Sequence, residues 1–86
     1  MYEIINALLR NLKREDVSSF AVKNNVYLSE QELNFTYLFI KENGSELVKN
    51  PEMLDLQKYK NYYSEENFLK IEQLLKEYLL KFKNYL

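Results

Sequence analysis

The chain has no cysteine and no histidine, and only one glycine and one proline in 86 residues. Without cysteine there can be neither disulfides nor thiolate metal sites, so stability must come from packing or from oligomerisation. Without histidine the commonest general base and transition-metal ligand is missing as well. A single glycine excludes a glycine-rich phosphate loop. So few turn formers suit helices with short joints, not a sheet with many turns.

Excess charge is also lacking. Twelve basic residues face thirteen acidic ones, for a net charge of −1 and a pI near 5.5, so bulk charge supplies no attraction to phosphate polymers or anionic lipid. No apolar run approaches the roughly 20 residues that span a bilayer. The opening MYEIINALLRNLKRED meets Glu3, Asn6 and Arg10 too early for a signal-peptide apolar core, which makes a cytoplasmic location the expectation. Ten lysines against two arginines, with abundant Asn, Ile, Tyr, Phe and Leu, match AT-rich codon usage and a low-GC bacterium. Tyrosine abundance alone therefore carries no functional weight.

What is present is helical periodicity. In residues 2–13, Tyr2, Ile5, Leu8, Leu9 and Leu12 form one apolar stripe. REDVSSFAVKNN reads as a shorter helix with Val17, Phe20 and Ala21 facing inward, ended by Asn24 and Asn25, since Asn tolerates the left-handed conformation. VYL at 26–28 is an extended joint, and SEQE at 29–32 is a capping box that starts a helix over about 30–42. That helix is apolar almost all round, as a central helix would be. It is expected to end at ENG, with Gly44 taking positive φ, followed by a short turn at SELVKN. Asn50 then caps a helix from Pro51 to about Asn61.

Ser64 caps the last helix, with Glu65 and Glu66 at its positive end and Lys81 and Lys83 near its negative end. Phe68, Ile71, Leu75, Tyr78, Phe82 and Tyr85 repeat at a 3-4-3-4-3 spacing, flanked by Leu74, Leu79 and Leu86. Glu66–Lys70, Glu72–Lys76 and Glu77–Lys81 are i,i+4 pairs in the favourable order. The expected fold is a single all-α domain over 1–86, a compact bundle of four to five helices with a long C-terminal amphipathic helix.

Chemistry finds little support. The carboxylates occur singly, or as Glu15/Asp16 and Glu65/Glu66 at helix starts, where the helix dipole accounts for them. The chain is expected not to be an enzyme and to need neither metal nor cofactor.

KYKNYYSEENF at 58–68 is the most function-like stretch, because it resembles a base-stacking platform. If it is helical, Leu56, Tyr59 and Tyr63 share an inward stripe with Met53 beside it, and only Tyr62 turns out. Three lysines meet four acids between Lys49 and Glu66, whereas stacking platforms need a positive groove. Packing is the stronger reading. VSSFAVKNNVYLSEQEL has a helix–turn–helix look, but its second helix would meet phosphate with Glu30 and Glu32. Asn6, Arg10, Lys13 and Arg14 share a face of the first helix and form the one basic cluster, which, with Tyr62, supports an alternative role as a nucleic-acid- or ribosome-associated protein.

Leu69 and Leu80 lie together on an outer line of the last helix, among lysines and glutamates. Two such leucines fit either a second contact surface, to which Tyr78 and Tyr85 would add, or packing of the first helix or the Pro51 helix there inside the monomer. The pattern from LKREDVSSFAVKNNVYLSEQELNFTYLFIKENG resembles a family of small uncharacterised proteins of Bacillus-type bacteria, a domain of unknown function. The positions that carry the likeness are Val17, Phe20, Ala21, Val26, Leu28, Ser29 and Leu33. They describe helix–joint–helix packing and imply no activity, and NPEMLDLQKYKNYYSEENF departs from the pattern. The functional expectation is a non-enzymatic interaction module, pairing with an unidentified protein or with itself, not with membrane.

Overall fold

A computed structural model describes residues 2–50, 52 and 54–85, with side chains described for 3, 4, 6–50, 52 and 54–77. The described residues are all-α, as expected. They form α1 (Tyr2–Arg10), α2 (Arg14–Lys23), α3 (Glu30–Lys49), a 3₁₀ helix (Leu56–Tyr62) and α4 (Glu65–Tyr85). The chain divides into two compact units, Met1–Leu54 and Asp55–Leu86.

In the first unit α1 and α2 both pack on α3. Lys13 opens α2, its N–H donating to Asp16 Oδ2 at 2.9 Å. The end of α2 is a complete left-handed cap. Asn25 has φ 62°, the Asn25 N–H donates to the Val22 carbonyl at 3.0 Å, and the Val26 N–H reaches the Ala21 carbonyl at 2.8 Å. This geometry drives Val26 into the core, where it is 1% exposed beside buried Val17 and Ala21. Phe20, expected inside, is instead 47% exposed, because Val17 and Ala21 already take the face turned to α3.

The SEQE capping box is present. The Glu32 N–H donates to Ser29 Oγ at 3.2 Å and the Ser29 N–H donates to Glu32 Oε1 at 2.8 Å. From there α3 runs on past Gly44, and this overturns the expected stop at ENG. Gly44 is buried inside the helix, and no glycine has positive φ. Leu9 of α1 is the reason. A Cβ on Gly44 would lie 3.0 Å from both Leu9 methyls, so the bare backbone is the seat on which α1 rests. Lys41 Nζ donates to the Leu9 and Arg10 carbonyls at 2.9 and 2.8 Å, closing the end of α1 from its neighbour. Ser45 Oγ donates to Asn6 Oδ1 at 2.8 Å.

α1 therefore ends at Arg10, short of the expected 13, and the inward stripe is not the expected one. Asn6 and Leu9 turn toward α3, whereas Leu8 is 67% exposed. Tyr2 and Ile5 of that stripe lie outside the described side chains.

At the end of the first unit Asn50 closes α3 rather than opening a new helix, and in place of the expected α-helix over 51–61 the second unit has a 3₁₀ helix from Leu56. Pro51 and Met53 lie outside the described residues. The 3₁₀ repeat of three eclipses Leu56, Tyr59 and Tyr62, and the Tyr59 and Tyr62 rings lie 6.4 Å apart. Ser64 caps α4 as expected, accepting from the Asn67 N–H at 3.1 Å. Phe68, 3% exposed, anchors this unit. Glu66–Lys70 forms at 3.5 Å, but Glu72 takes Gln57 Nε2 at 3.0 Å, reaching across to the 3₁₀ helix.

Candidate functional site

Leu69 stands in the second turn of α4 with Glu65, Glu66 and Gln73 exposed around it, and is itself 56% exposed. The helical repeat that buries Phe68 turns its neighbour outward. Leu80, Tyr78 and Tyr85 belong to α4 by backbone, and their side chains lie outside the described residues.

The basic cluster does not share one helix. α1 stops at Arg10, Lys13 stands in the joint and Arg14 opens α2. Asn6, expected beside them, is held against Ser45 on α3. Arg10 and Lys13 are exposed, whereas Arg14 is half-buried and its Nε is buried without a hydrogen-bond partner. Tyr62 is exposed, as expected, while Tyr59 and Tyr63 are half-buried. Arg10, Lys13 and Arg14 lie in the first unit and Tyr62 in the second.

Arg14, Glu15, Ser18, Ser19 and Leu33 line an open hollow of about 400 Å³ between α2 and α3. Among the described residues that line it, Glu15 is the one carboxylate. Among the described residues no three acidic side chains gather to hold a metal ion, and no helix is long and apolar enough to cross a membrane.

The feature that sequence reasoning missed is on α1. Ile4 and Leu8, one turn apart, are 68% and 67% exposed. A signal was present: Ile4–Ile5 and Leu8–Leu9 are paired apolar residues, so a nine-residue helix carries apolar side chains on opposite sides. Leu38 on α3, 54% exposed, and Tyr27 in the joint, 66% exposed, add to the apolar surface of this unit.

No protein-family model matches the chain, and neither curated proteins nor solved structures give a significant match.

Proposed function

We propose that this chain is a small, non-enzymatic, cytoplasmic helical module that presents helix surfaces to another protein or to a second copy of itself. It would be a distant relative of the small Bacillus-type proteins that its first half resembles. α4 serves as one contact element through Leu69, with Leu80 on the same outer line by sequence spacing and Tyr78 and Tyr85 nearby.

The observation behind this reading is the balance of apolar side chains among the described residues. Val17, Ala21, Val26 and Phe68 are the buried apolar ones, whereas Ile4, Leu8, Leu38 and Leu69 are each more than half exposed. Scattered exposed leucines are ordinary, but so many beside so small a core suit a surface that another chain covers. A nucleic-acid role has thinner support, since the basic residues sit on separate elements beside acids.

Sedimentation equilibrium and capture from native lysate test the reading together. Leu69→Glu with Leu80→Glu is expected to weaken self-association or the capture of a reproducible partner, with far-UV circular dichroism unchanged. A strict monomer with no partner, indifferent to that pair of changes, would remove α4 as a contact element.

A further inference from the structure

The chain's single glycine follows an asparagine, at Asn43–Gly44. An asparagine side chain is most open to attack by the next backbone nitrogen when that residue is glycine, because no Cβ obstructs the approach. In that reaction the Gly44 nitrogen, once deprotonated, bonds to the Asn43 side-chain carbonyl carbon, and ammonia leaves. Water then opens the resulting cyclic imide. Breaking the new bond to the side-chain carbonyl gives aspartate on an ordinary backbone. Breaking the old bond to the main-chain carbonyl gives isoaspartate, with the backbone rerouted through the β-carbon. Water enters and ammonia departs, so no oxidant or other reagent is needed.

In the fold α3 holds the reacting groups apart. Both residues lie inside the helix, where the Gly44 N–H belongs to the i to i−4 ladder and the Asn43 peptide has a helical turn that ring closure must undo. Asn43 Nδ2 donates to the Phe39 carbonyl at 3.2 Å, which holds the side-chain amide toward the N-terminus of the helix, away from the Gly44 nitrogen. Asn43 is exposed, so water has access and the backbone conformation is the barrier. α1 adds a second lock. Lys41 Nζ donates to the Leu9 and Arg10 carbonyls, Leu9 sits on Gly44, and Ser45 Oγ donates to Asn6 Oδ1. Three ties to α1 thus bracket Asn43, and opening α3 at 43–44 must strain or release them. The bare backbone that seats Leu9 is also what leaves Asn43 reactive. We propose that Asn43–Gly44 is a latent deamidation site, kept shut by the helical backbone of α3 and by α1 seated on it, and that its isoaspartyl product unseats α1. Isoaspartate adds one main-chain carbon to α3 immediately before the Leu9 seat, which shifts Gly44 and Ser45 out of register with Leu9 and Asn6.

Peptide mapping by mass spectrometry, followed over time at mildly alkaline pH in native buffer and in denaturing urea, tests the proposal on the full chain. Exchange of NH2 for OH at Asn43 is expected in both, at least about tenfold slower in the folded chain. Gly44→Ala is expected to slow the reaction in urea by about tenfold or more, since a Cβ then obstructs the attack. Leu9→Ala is expected to speed the native reaction by roughly three- to tenfold and to leave the rate in urea unchanged. Lys41→Met, which keeps the Leu9 seat, is expected to act in the same direction and decides the point if Leu9→Ala does not fold. For the product, isoaspartyl chain formed in urea is refolded and separated from the parent by ion exchange. Its α1 amides are expected to exchange hydrogen roughly threefold faster or more, whereas Asn43→Asp, with the same charge on an ordinary backbone, exchanges like the parent. Equal rates in native buffer and in urea overturn the proposal, as does a native rate that neither α1 variant changes. An isoaspartyl chain whose α1 exchanges like the parent's, or no faster than that of Asn43→Asp, overturns the unseating.

Discussion

Gly44 meets two opposing demands. In a helix interior glycine costs about 1 kcal/mol relative to alanine, yet here its missing side chain admits both Leu9 methyls, which a Cβ would meet at 3.0 Å. The helical gain from Gly44→Ala and the pressure on Leu9 are therefore expected to cancel within about 1 kcal/mol. In a Leu9→Ala background the pressure is gone, and Gly44→Ala should then stabilise by about 1 kcal/mol. Urea titration of the four-member cycle measures the coupling, and an equal effect in both backgrounds would show that Leu9 does not define the seat. Asn25 meets a different demand, because its φ of 62° is costly for most side chains. Asn25→Gly is expected to be neutral or to stabilise by up to about 1 kcal/mol, and Asn25→Val to cost about 1–2 kcal/mol. The larger loss follows because the same turn delivers Val26, 1% exposed, into the core. Equal midpoints for the two variants would contradict the left-handed cap. These two residues also mark where sequence reasoning succeeds and where it fails. Asn25 was legible because its cap is closed by carbonyls only three and five positions earlier. Gly44 was misread because the group that needs it, Leu9, belongs to another helix.

At the scale of elements, the two helix starts capped by a nearby serine could be read from the sequence. Ser29 with Glu32, and Ser64 with the Asn67 N–H, satisfy backbone donors within one turn. The end of α1 is closed differently. Its carbonyls at Leu9 and Arg10 receive Lys41 Nζ at 2.9 and 2.8 Å, and no local pattern announces a lysine on a later helix. Two charge-assisted bonds at the negative end of a nine-residue helix are a large share of what holds so short an element. Lys41→Met is therefore expected to cost about 0.5–1 kcal/mol and to speed amide hydrogen exchange in α1, leaving the N-terminal half of α3 unchanged. Uniform acceleration across both helices would mean that Lys41 supports the whole unit and not the end of α1. The 3₁₀ helix was missed for a related reason. Its apolar residues at Leu56, Tyr59 and Tyr63 fit an α repeat, but the bonds from Lys58 N–H to Asp55 and from Tyr63 N–H to Lys60 have the tighter i to i+3 span. A tyrosine stripe does not distinguish the two winds, so the exposure of Tyr62 came out as expected although the helix type did not.

For the molecule as a whole, the limiting quantity is apolar surface. A chain of this size buries only about 60–65% of what its unfolded form exposes, and it has no cysteine to supply a cross-link. Leu69 and the exposed Ile4 and Leu8 of α1 were legible to different degrees on this account. Leu69 stands out because its helix already has a full stripe on the other side, so an extra leucine has no inward place. Ile4 and Leu8 hid inside a helix whose two faces are both apolar, and only the position of α3 shows which face is taken. If a second copy covers the outer line of α4 at Leu69, folding and association are linked, and stability becomes a function of concentration. Once the chain is mostly dimeric, each tenfold rise in concentration adds about 1.4 kcal/mol per dimer, or about 0.7 kcal/mol per chain. A domain of this size shifts its melting temperature by about 4–8 °C per kcal/mol. Scanning calorimetry should therefore find the transition rising by about 3–5 °C between a few hundred micromolar and a few millimolar. Leu69→Glu with Leu80→Glu should remove that slope while leaving the dilute melting temperature nearly unchanged, because Leu69 is 56% exposed in the monomer. A melting temperature that does not move with concentration would mean that α4 does not pair with a second copy at any concentration reached, which leaves a different protein as its partner.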